Sequence, residues 1–233
     1  MGESTAKLFA HNGWDVALIG RNVEKLNELK NELKTQVYCF PCDLSQPDQV
    51  DKLAMTLKQS PFENPLQCLV NNAGMIYRRS FLEHEKPHWL EQFQVNLFSA
   101  IEITKSVYDQ LKLNAPSSVI NVSSSLGIRP IANCAAYNAT KSAMNSWTKS
   151  LAIEWAKDNI TVNAICPGIV NTPIHKIAQH PEKNEIEKSM NSAHPLGRMG
   201  HPDEIAENIY FLTQPASRWT TGSLNIIDGG ISL

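Results

Sequence analysis

The sequence predicts an α/β fold, a parallel sheet with helices on both faces. Apolar runs and amphipathic stretches alternate, and the strand-helix order recurs about every 25 to 30 residues. Turn residues such as Gly13 and the Pro167-Gly168 pair fall where these elements end. At 233 residues the chain is long enough for one large domain with a full core, and no repeat or low-complexity linker divides it.

Residues 2–12 read as an amphipathic helix with Ala6, Leu8, Phe9 and Ala10 on its apolar face, stopped by Gly13 at C′. Residues 14–19 form a short apolar strand. Residues 23–34 form a helix with Leu26, Leu29 and Leu33 as its buried stripe. A strand over 36–42, a helix over 47–59 and a strand over 66–71 follow, the last running into Asn71-Asn72-Ala73-Gly74. A long helix is expected from about Pro87, since proline fits a first turn. Strand 118–123, helix 135–157 and strand 160–166 come next. Residues 172–200 lack strong periodicity and read as a substrate loop built of short helical pieces. Helix 202–212 and strand 223–227 complete the chain, closed by Asp228-Gly229-Gly230.

The formal net charge is −2, from 21 basic and 23 acidic residues spread along the chain. That balance gives no reason to expect nucleic acid or an anionic membrane as partner. No run of about 18 apolar residues suggests a membrane span, and no secretion pattern opens the chain, so a cytoplasmic protein is expected. Five cysteines, an odd number, argue against a disulfide framework. Cys39 and Cys42 form C-x-x-C within a strand, where residues three apart face opposite ways, so they are expected to pack rather than bind metal. His84 to His88 matches H-E-x-x-H, which needs one continuous helix. Pro87 disfavours helix before it and is expected to leave His84 in a loop, so no metal site is assigned.

The stretch 121–141 carries the chemistry. An apolar strand ends in Ser123-Ser124-Ser125, and Tyr137 and Lys141 follow on one helical face, four residues apart. An ammonium beside a phenol favours the phenolate, so Lys141 is expected to draw the tyrosine pKa from about 10 toward neutrality. Such a tyrosine can exchange a proton with a carbonyl or alcohol oxygen. Taken by themselves the two residues also read as a half-exposed helix pair. Ser124 stands thirteen residues before Tyr137, and this Ser…Tyr-x-x-x-Lys spacing resembles the catalytic signature of the short-chain dehydrogenase/reductase family.

The resemblance covers nearly the whole chain and implies a Rossmann-like, doubly wound sheet. It implies that Tyr137 is the proton donor and acceptor, that Ser124 orients the substrate, and that Lys141 tunes the tyrosine and binds the nicotinamide ribose. It implies that Asn96 holds a water on the lysine, against the alternative of an exposed polar residue. For the cofactor it implies Asp43 near the adenine and the turn Asn72, Ala73 and Gly74 on the adenosine side. Pro167, Gly168, Val170 and Thr172 would meet the nicotinamide carboxamide and the phosphates. Gly20 ends the second strand of that family pattern, where an acidic residue would select NAD. Arg21 beside it could pair with a 2′-phosphate, which favours NADP(H) over NAD(H), unless Arg21 is simply a solvated loop residue. Residues 194–206 resemble the branch that includes 3-oxoacyl-carrier-protein reductases, and a homo-oligomer, tetramer or dimer, is implied.

In that family the phosphate loop T-G-x-x-x-G-x-G joins the first strand to the first helix. Gly2 matches its last glycine, with Gly13 eleven residues later. The first strand is therefore expected to be absent. Its loss would leave a slot of about 9–10 Å between two strands. Each orphaned buried group costs about 1–3 kcal/mol against a total stability of about 5–15 kcal/mol. The expectation is a truncated chain that folds poorly or extends upstream. Two functions follow: an NADP(H)-dependent carbonyl/alcohol oxidoreductase acting on a small molecule, or a non-catalytic chain that keeps its oligomer surfaces but holds nucleotide poorly.

Overall fold

The computed structural model describes residues 1–175 and 181–233. Helix α1, Gly2–His11, leads into strand β1, Val16–Gly20. Helix α2 (Val23–Glu32) is capped by the Asn22 side chain, which accepts from Lys25 N–H, and precedes β2, Val37–Pro41. Then come α3, Pro47–Lys58, and β3, Cys68–Asn71. Helices α4 (Lys86–Phe93), α5 (Ser99–Ser106) and α6 (Tyr108–Leu113) lead to β4, Ser117–Val122. The long α7, Ala135–Trp155, precedes β5, Ile160–Pro167. Helices α8, Lys183–Ser192, and α9, Pro202–Phe211, precede β6, Leu224–Ile227.

Every strand pairing is parallel. Among the described residues the strands form two sheets, β1-β2 and β3-β4-β5-β6. Two apolar clusters join them, one on each face. On one face Phe9 of α1 packs with Ile120, Val122, Ile165 and Ile209, and Val16 of β1 and Val70 of β3 meet in that cluster. On the other, Ile19 and Phe40 pack with Val50, Leu53, Leu69, Ile103 and Val119. The slot expected between two unpaired strands is present, since β1 and β3 share no ladder, while apolar burial on both faces joins the two sheets. Between β1 and β3 lies a cavity of about 740 Å³.

The turn after α1 shows how local chemistry sets this layout. Gly13 has φ +81°, its N–H donates to Ala10 C=O at 3.0 Å, and Trp14 N–H donates to Phe9 C=O at 3.1 Å. These two bonds satisfy the helix-end carbonyls as a Schellman motif. Trp14 then folds back on Phe9, ring centroids 5.2 Å apart, which aims the chain into β1.

Several sequence expectations gain detail in the structure. The long helix from Pro87 is interrupted by a wider π turn at Gln94–Phe98 and again after Ser106. His84 precedes α4, as Pro87 requires, and its ring stacks edge-on to Trp89 with centroids 6.1 Å apart. Of the expected substrate loop 172–200, residues 176–180 lie outside the described residues. The remainder holds a 3-10 turn (Pro173–His175), α8, and a bridge from Val170 to Gly200. Cys42 packs in the α3-side cluster and Cys39 against the α1-α2 cluster, on opposite faces. Among the described residues no helix is long and apolar enough to cross a membrane.

Gly13→Ala should destabilise the fold by about 1–2 kcal/mol, because an L-residue pays for the left-handed conformation. A Cβ there meets no atom within 4 Å, so the cost is in the backbone alone. A lowered urea midpoint with an unchanged slope checks this.

Candidate active site

Helix α7 packs along the face of β4 and β5, and its first turns bring Tyr137 and Lys141 to the C-terminal end of β4. Both are buried, Tyr137 9% and Lys141 2% exposed, so they are not the half-exposed pair that spacing alone allows. Lys141 Nζ donates to Val122 C=O at 2.8 Å and stands 5.8 Å from the Tyr137 ring centroid. Burial pushes the Tyr137 phenol up to about 12, while a hydrogen bond from Ser124 and the Arg78 charge pull it down by less. Burial also lowers the Lys141 ammonium to about 8. The expectation that Lys141 draws the phenol toward neutrality is therefore corrected. In this dry site the cost of desolvating a phenolate outweighs neighbouring charge.

Ser124 ends β4 in extended backbone, and its Oγ accepts from Leu126 N–H at 3.1 Å. The turn that follows is pressed onto α7 at Gly127. A Cβ on Gly127 would lie 2.8 Å from the Lys141 carbonyl carbon and 2.9 Å from Asn145 Nδ2. Ser142 Oγ and Asn145 Nδ2 both donate to Gly127 C=O, and Ser123 Oγ donates to Lys141 C=O at 3.2 Å. Three hydrogen bonds thus hold the serine turn against the helix one turn from Tyr137.

Asn96 is fully buried in the π turn. Its Oδ1 accepts from Met75 N–H at 2.7 Å, and its Nδ2 donates to Met75 C=O and Thr140 Oγ1. The exposed-polar alternative is excluded by this burial. A Cβ built on Gly74 would meet Asn96 Oδ1 at 3.5 Å and Lys141 Nζ at 3.7 Å, so both groups flank Gly74. A further buried chain links Asn71 Nδ2 to Thr104 Oγ1 and Asn121 Oδ1, and Asn121 Nδ2 to Thr148 Oγ1. It ties β3, β4, α5 and α7 together.

The strand ends β1, β2, β3, β4 and β5 open on the same edge of parallel sheets, the position at which such folds take ligands. Gly2 begins α1 against Asn72, where a Cβ would come within 2.7 Å of Nδ2. Asn72 Oδ1 is buried with no partner among the described residues. Ala73 and Gly74 continue the turn, exposed. Arg21 is exposed just beyond β1, and its charge acts on Asp43, whose carboxyl is held below the usual range first by Ser45 N–H. Pro167 closes β5, and Gly168 packs so closely on Asp228 that a Cβ would lie 2.8 Å from its carbonyl oxygen. Val170 is buried, and Thr172 Oγ1 donates to Val170 C=O at 3.2 Å. An unpartnered buried acceptor at Asn72, a glycine at the α1 start and a basic residue past β1 fit a phosphorylated dinucleotide.

Near this edge Arg78, Arg79 and His175 had no sequence signal, and His194 entered only as the first residue of the stretch 194–206. Arg78 acts electrostatically on Tyr137, Cys134 and His175, and Arg79 N–H donates to Asn133 C=O at 2.9 Å, which sets that segment beside the start of α7. Burial lowers the pKa of His175, and a backbone hydrogen bond at Val170 opposes it. His194 Nε2 accepts from Ile169 N–H at 3.2 Å while Nδ1 meets Met190 C=O at 2.8 Å, so a neutral ring fixes the backbone after Gly168. Their neighbours are distant in sequence, and no periodicity announces them.

Gly127→Ala should cost about 1–3 kcal/mol by overpacking. It should also move the serine turn off α7; a fall in denaturant midpoint together with changed nuclear magnetic resonance shifts at Ser124 and Tyr137 checks this.

A family model described as Enoyl-(Acyl carrier protein) reductase matches residues 1–232. A tropinone reductase homolog of Arabidopsis thaliana is 33% identical over 236 residues, covering 100% of this chain and 88% of the relative. Among solved structures, an L-sorbose reductase from Gluconobacter frateurii complexed with NADPH and L-sorbose is 27% identical, with TM-score 0.90 over 99% of this chain and 92% of that one. An NADPH-bound short chain oxidoreductase from Pseudomonas aeruginosa PAO1 with an atypical catalytic center is 28% identical, with TM-score 0.88 over 99% and 91%. These matches run from the first residues onward, so the expectation of a truncated chain lacking its first strand finds no support in them. The α/β fold, the parallel order and the matched length together place the chain in the short-chain dehydrogenase/reductase family of oxidoreductases.

Proposed function

We propose that the chain is an NADP(H)-dependent oxidoreductase that interconverts a small-molecule carbonyl and a secondary alcohol, working as one nucleotide-binding domain over residues 1–233. The observation that carries this reading is the buried Tyr137, in reach of Ser124 and with Lys141 Nζ 5.8 Å from its ring. NADPH in the similar L-sorbose reductase supports the cofactor choice, as does Arg21 past β1. When bound, NADP(H) supplies the hydride.

The side chains of this chain supply the proton and the geometry. Near pH 7 the raised pKa keeps Tyr137 protonated, the form that donates to a carbonyl oxygen gaining negative charge. Ser124 holds that oxygen beside the phenol. Lys141, charged below about pH 8, stabilises the tyrosinate left behind and meets the ribose. Asn96 holds the Gly74-Met75 turn and positions a water that connects Lys141 to solvent. Arg21 and Asp43 take the adenosine end, with Gly2, Asn72, Ala73 and Gly74 behind it. Pro167, Gly168, Val170 and Thr172 take the nicotinamide end. Exposed Leu90, Phe98 and Ile153, on helices around Asn96 and Tyr137, support a homo-oligomer, tetramer or dimer, in the cytoplasm.

Titration with NADPH, followed by its fluorescence, should show saturable binding in wild type and in Tyr137→Phe. The variant should lose turnover of a carbonyl panel by about 10²–10⁴-fold, the scale of general acid catalysis. Binding without loss of turnover removes Tyr137 from the reaction, and no NADPH binding favours the non-catalytic chain.

A second expectation concerns pH. Lys141 has a folded pKa of about 8 against an ordinary 10.5. Between those values the unfolded chain holds the extra proton, so this group makes stability rise with pH, by up to about 1.4 kcal/mol per unit. Its contribution is complete above 10.5 and is lost as pH falls through about 8. Comparing the pH dependence of unfolding in wild type and Lys141→Met isolates it; identical slopes from pH 8 to 10 would contradict the assignment.

A further inference from the structure

Two adjacent arginines in the segment after β3 act on opposite surroundings. Residues 75–79 are held along their length. Met75 N–H donates to Asn96 Oδ1 at 2.7 Å, Tyr77 N–H to Gln92 Oε1 at 3.1 Å, and Arg79 N–H to Asn133 C=O at 2.9 Å. The Tyr77 ring lies against His88, centroids 5.2 Å apart, and its hydroxyl donates to Glu91 at 2.6 Å, so this side chain faces α4. The Arg79 charge acts on Tyr77 and Glu83, on that same side. Arg78 stands between these two residues, yet its charge acts elsewhere, on Tyr137, Cys134 and His175. The bond to Asn133 explains the placement. Asn133 precedes Cys134, the N-cap of α7, and Tyr137 follows in the first turn of that helix.

The Arg78 guanidinium is exposed. It keeps its charge at any working pH and presents its donors as a planar fork. Among the described residues every ion pair is made elsewhere, by Lys7, Lys105, Lys112 and Arg198. The charges that act most on Tyr137 and His175 include Arg78 and no carboxylate. A fixed cation without a counter-charge thus stands beside the groups that would receive the carbonyl. A neutral substrate gains nothing from it, and a cationic one is repelled.

We propose that Arg78 is a specificity-determining residue that binds a carboxylate of the substrate, so that the substrate is an oxo acid and the product the matching hydroxy acid. This rests on the activity proposed above. The carboxylate accepts from the guanidinium fork while the carbonyl oxygen sits against Tyr137 and Ser124. Two anchoring points fix the orientation, where either alone would let the molecule pivot. One guanidinium matches the single charge of a carboxylate, which passes through the reaction unchanged.

The test measures kcat/KM with NADPH for straight-chain six-carbon oxo acids, the carbonyl moved from the second carbon to the fifth, and for their methyl esters. Wild type should prefer the best acid over its ester by about 30-fold, the scale of one charge-assisted hydrogen bond, mainly through KM. Arg78→Met should erase that preference, Arg78→Lys should restore part of it, and Arg79→Met should retain it. NADPH fluorescence titration of each variant checks that the nucleotide site is folded. Calorimetric binding of the same acids to the NADP+ complex gives a readout independent of turnover. Equal kcat/KM for acids and esters in wild type overturns the assignment and leaves the oxidoreductase reading standing. So does a preference that survives Arg78→Met, or one lost equally in Arg79→Met. Acids that bind, and cease to bind in Arg78→Met, but are never reduced overturn the activity and leave the anion site standing. Neither turnover nor binding overturns both. A matched oxo-phosphonate preferred to every acid overturns the carboxylate as the group recognised.

Discussion

The seat of α7 on the sheet is the constraint on which the rest depends. A lysine, a tyrosine and two asparagines are carried into a nearly dry interior, and each buried polar group needs a partner. Lys141 finds Val122 C=O, Asn121 finds Thr148, and Asn96 finds Met75 and Thr140. An unpaired group of this kind costs about 1–3 kcal/mol, so the relative placement of β3, β4, α5 and α7 is narrowly determined. Gly127 completes the seat by having nothing to place between the serine turn and the helix.

The same burial decides the electrostatics. It raises the tyrosine, to about 12, and lowers the lysine, to about 8, so both are held toward their neutral forms. Burial is the largest cause of the shift in each group. A protonated phenol against Ser124 is poised to donate rather than accept, which matches reduction of a carbonyl near neutral pH. Away from the site, burial has another consequence: apolar clusters on both faces join two sheets that share no ladder, and the space between their edges stays open.

Much of this was legible in the chain before any coordinates. Gly13 announces the end of α1, Pro87 separates His84 from the helix of His88, and the three-residue step from Cys39 to Cys42 places the thiols on opposite faces. Each is a local rule of backbone geometry. The π turn at Asn96 was not legible, because one extra residue in a helical turn leaves the apolar period almost unchanged. Arg78 and His175 were also silent, and the contact of His194 with Ile169 was not legible, since these partners come from segments far along the chain.

The sequence by itself determined the α/β class, the order of its elements and the residues proposed to carry proton chemistry, because helical and strand periods and side-chain identities are written locally. Only the tertiary structure decided that Tyr137 and Lys141 are buried, that burial dominates the titration of each, and that the β1 and β3 edges face a shared cavity. Those properties depend on what surrounds a group in three dimensions, and desolvation and edge pairing have no counterpart in the spacing of letters along a chain.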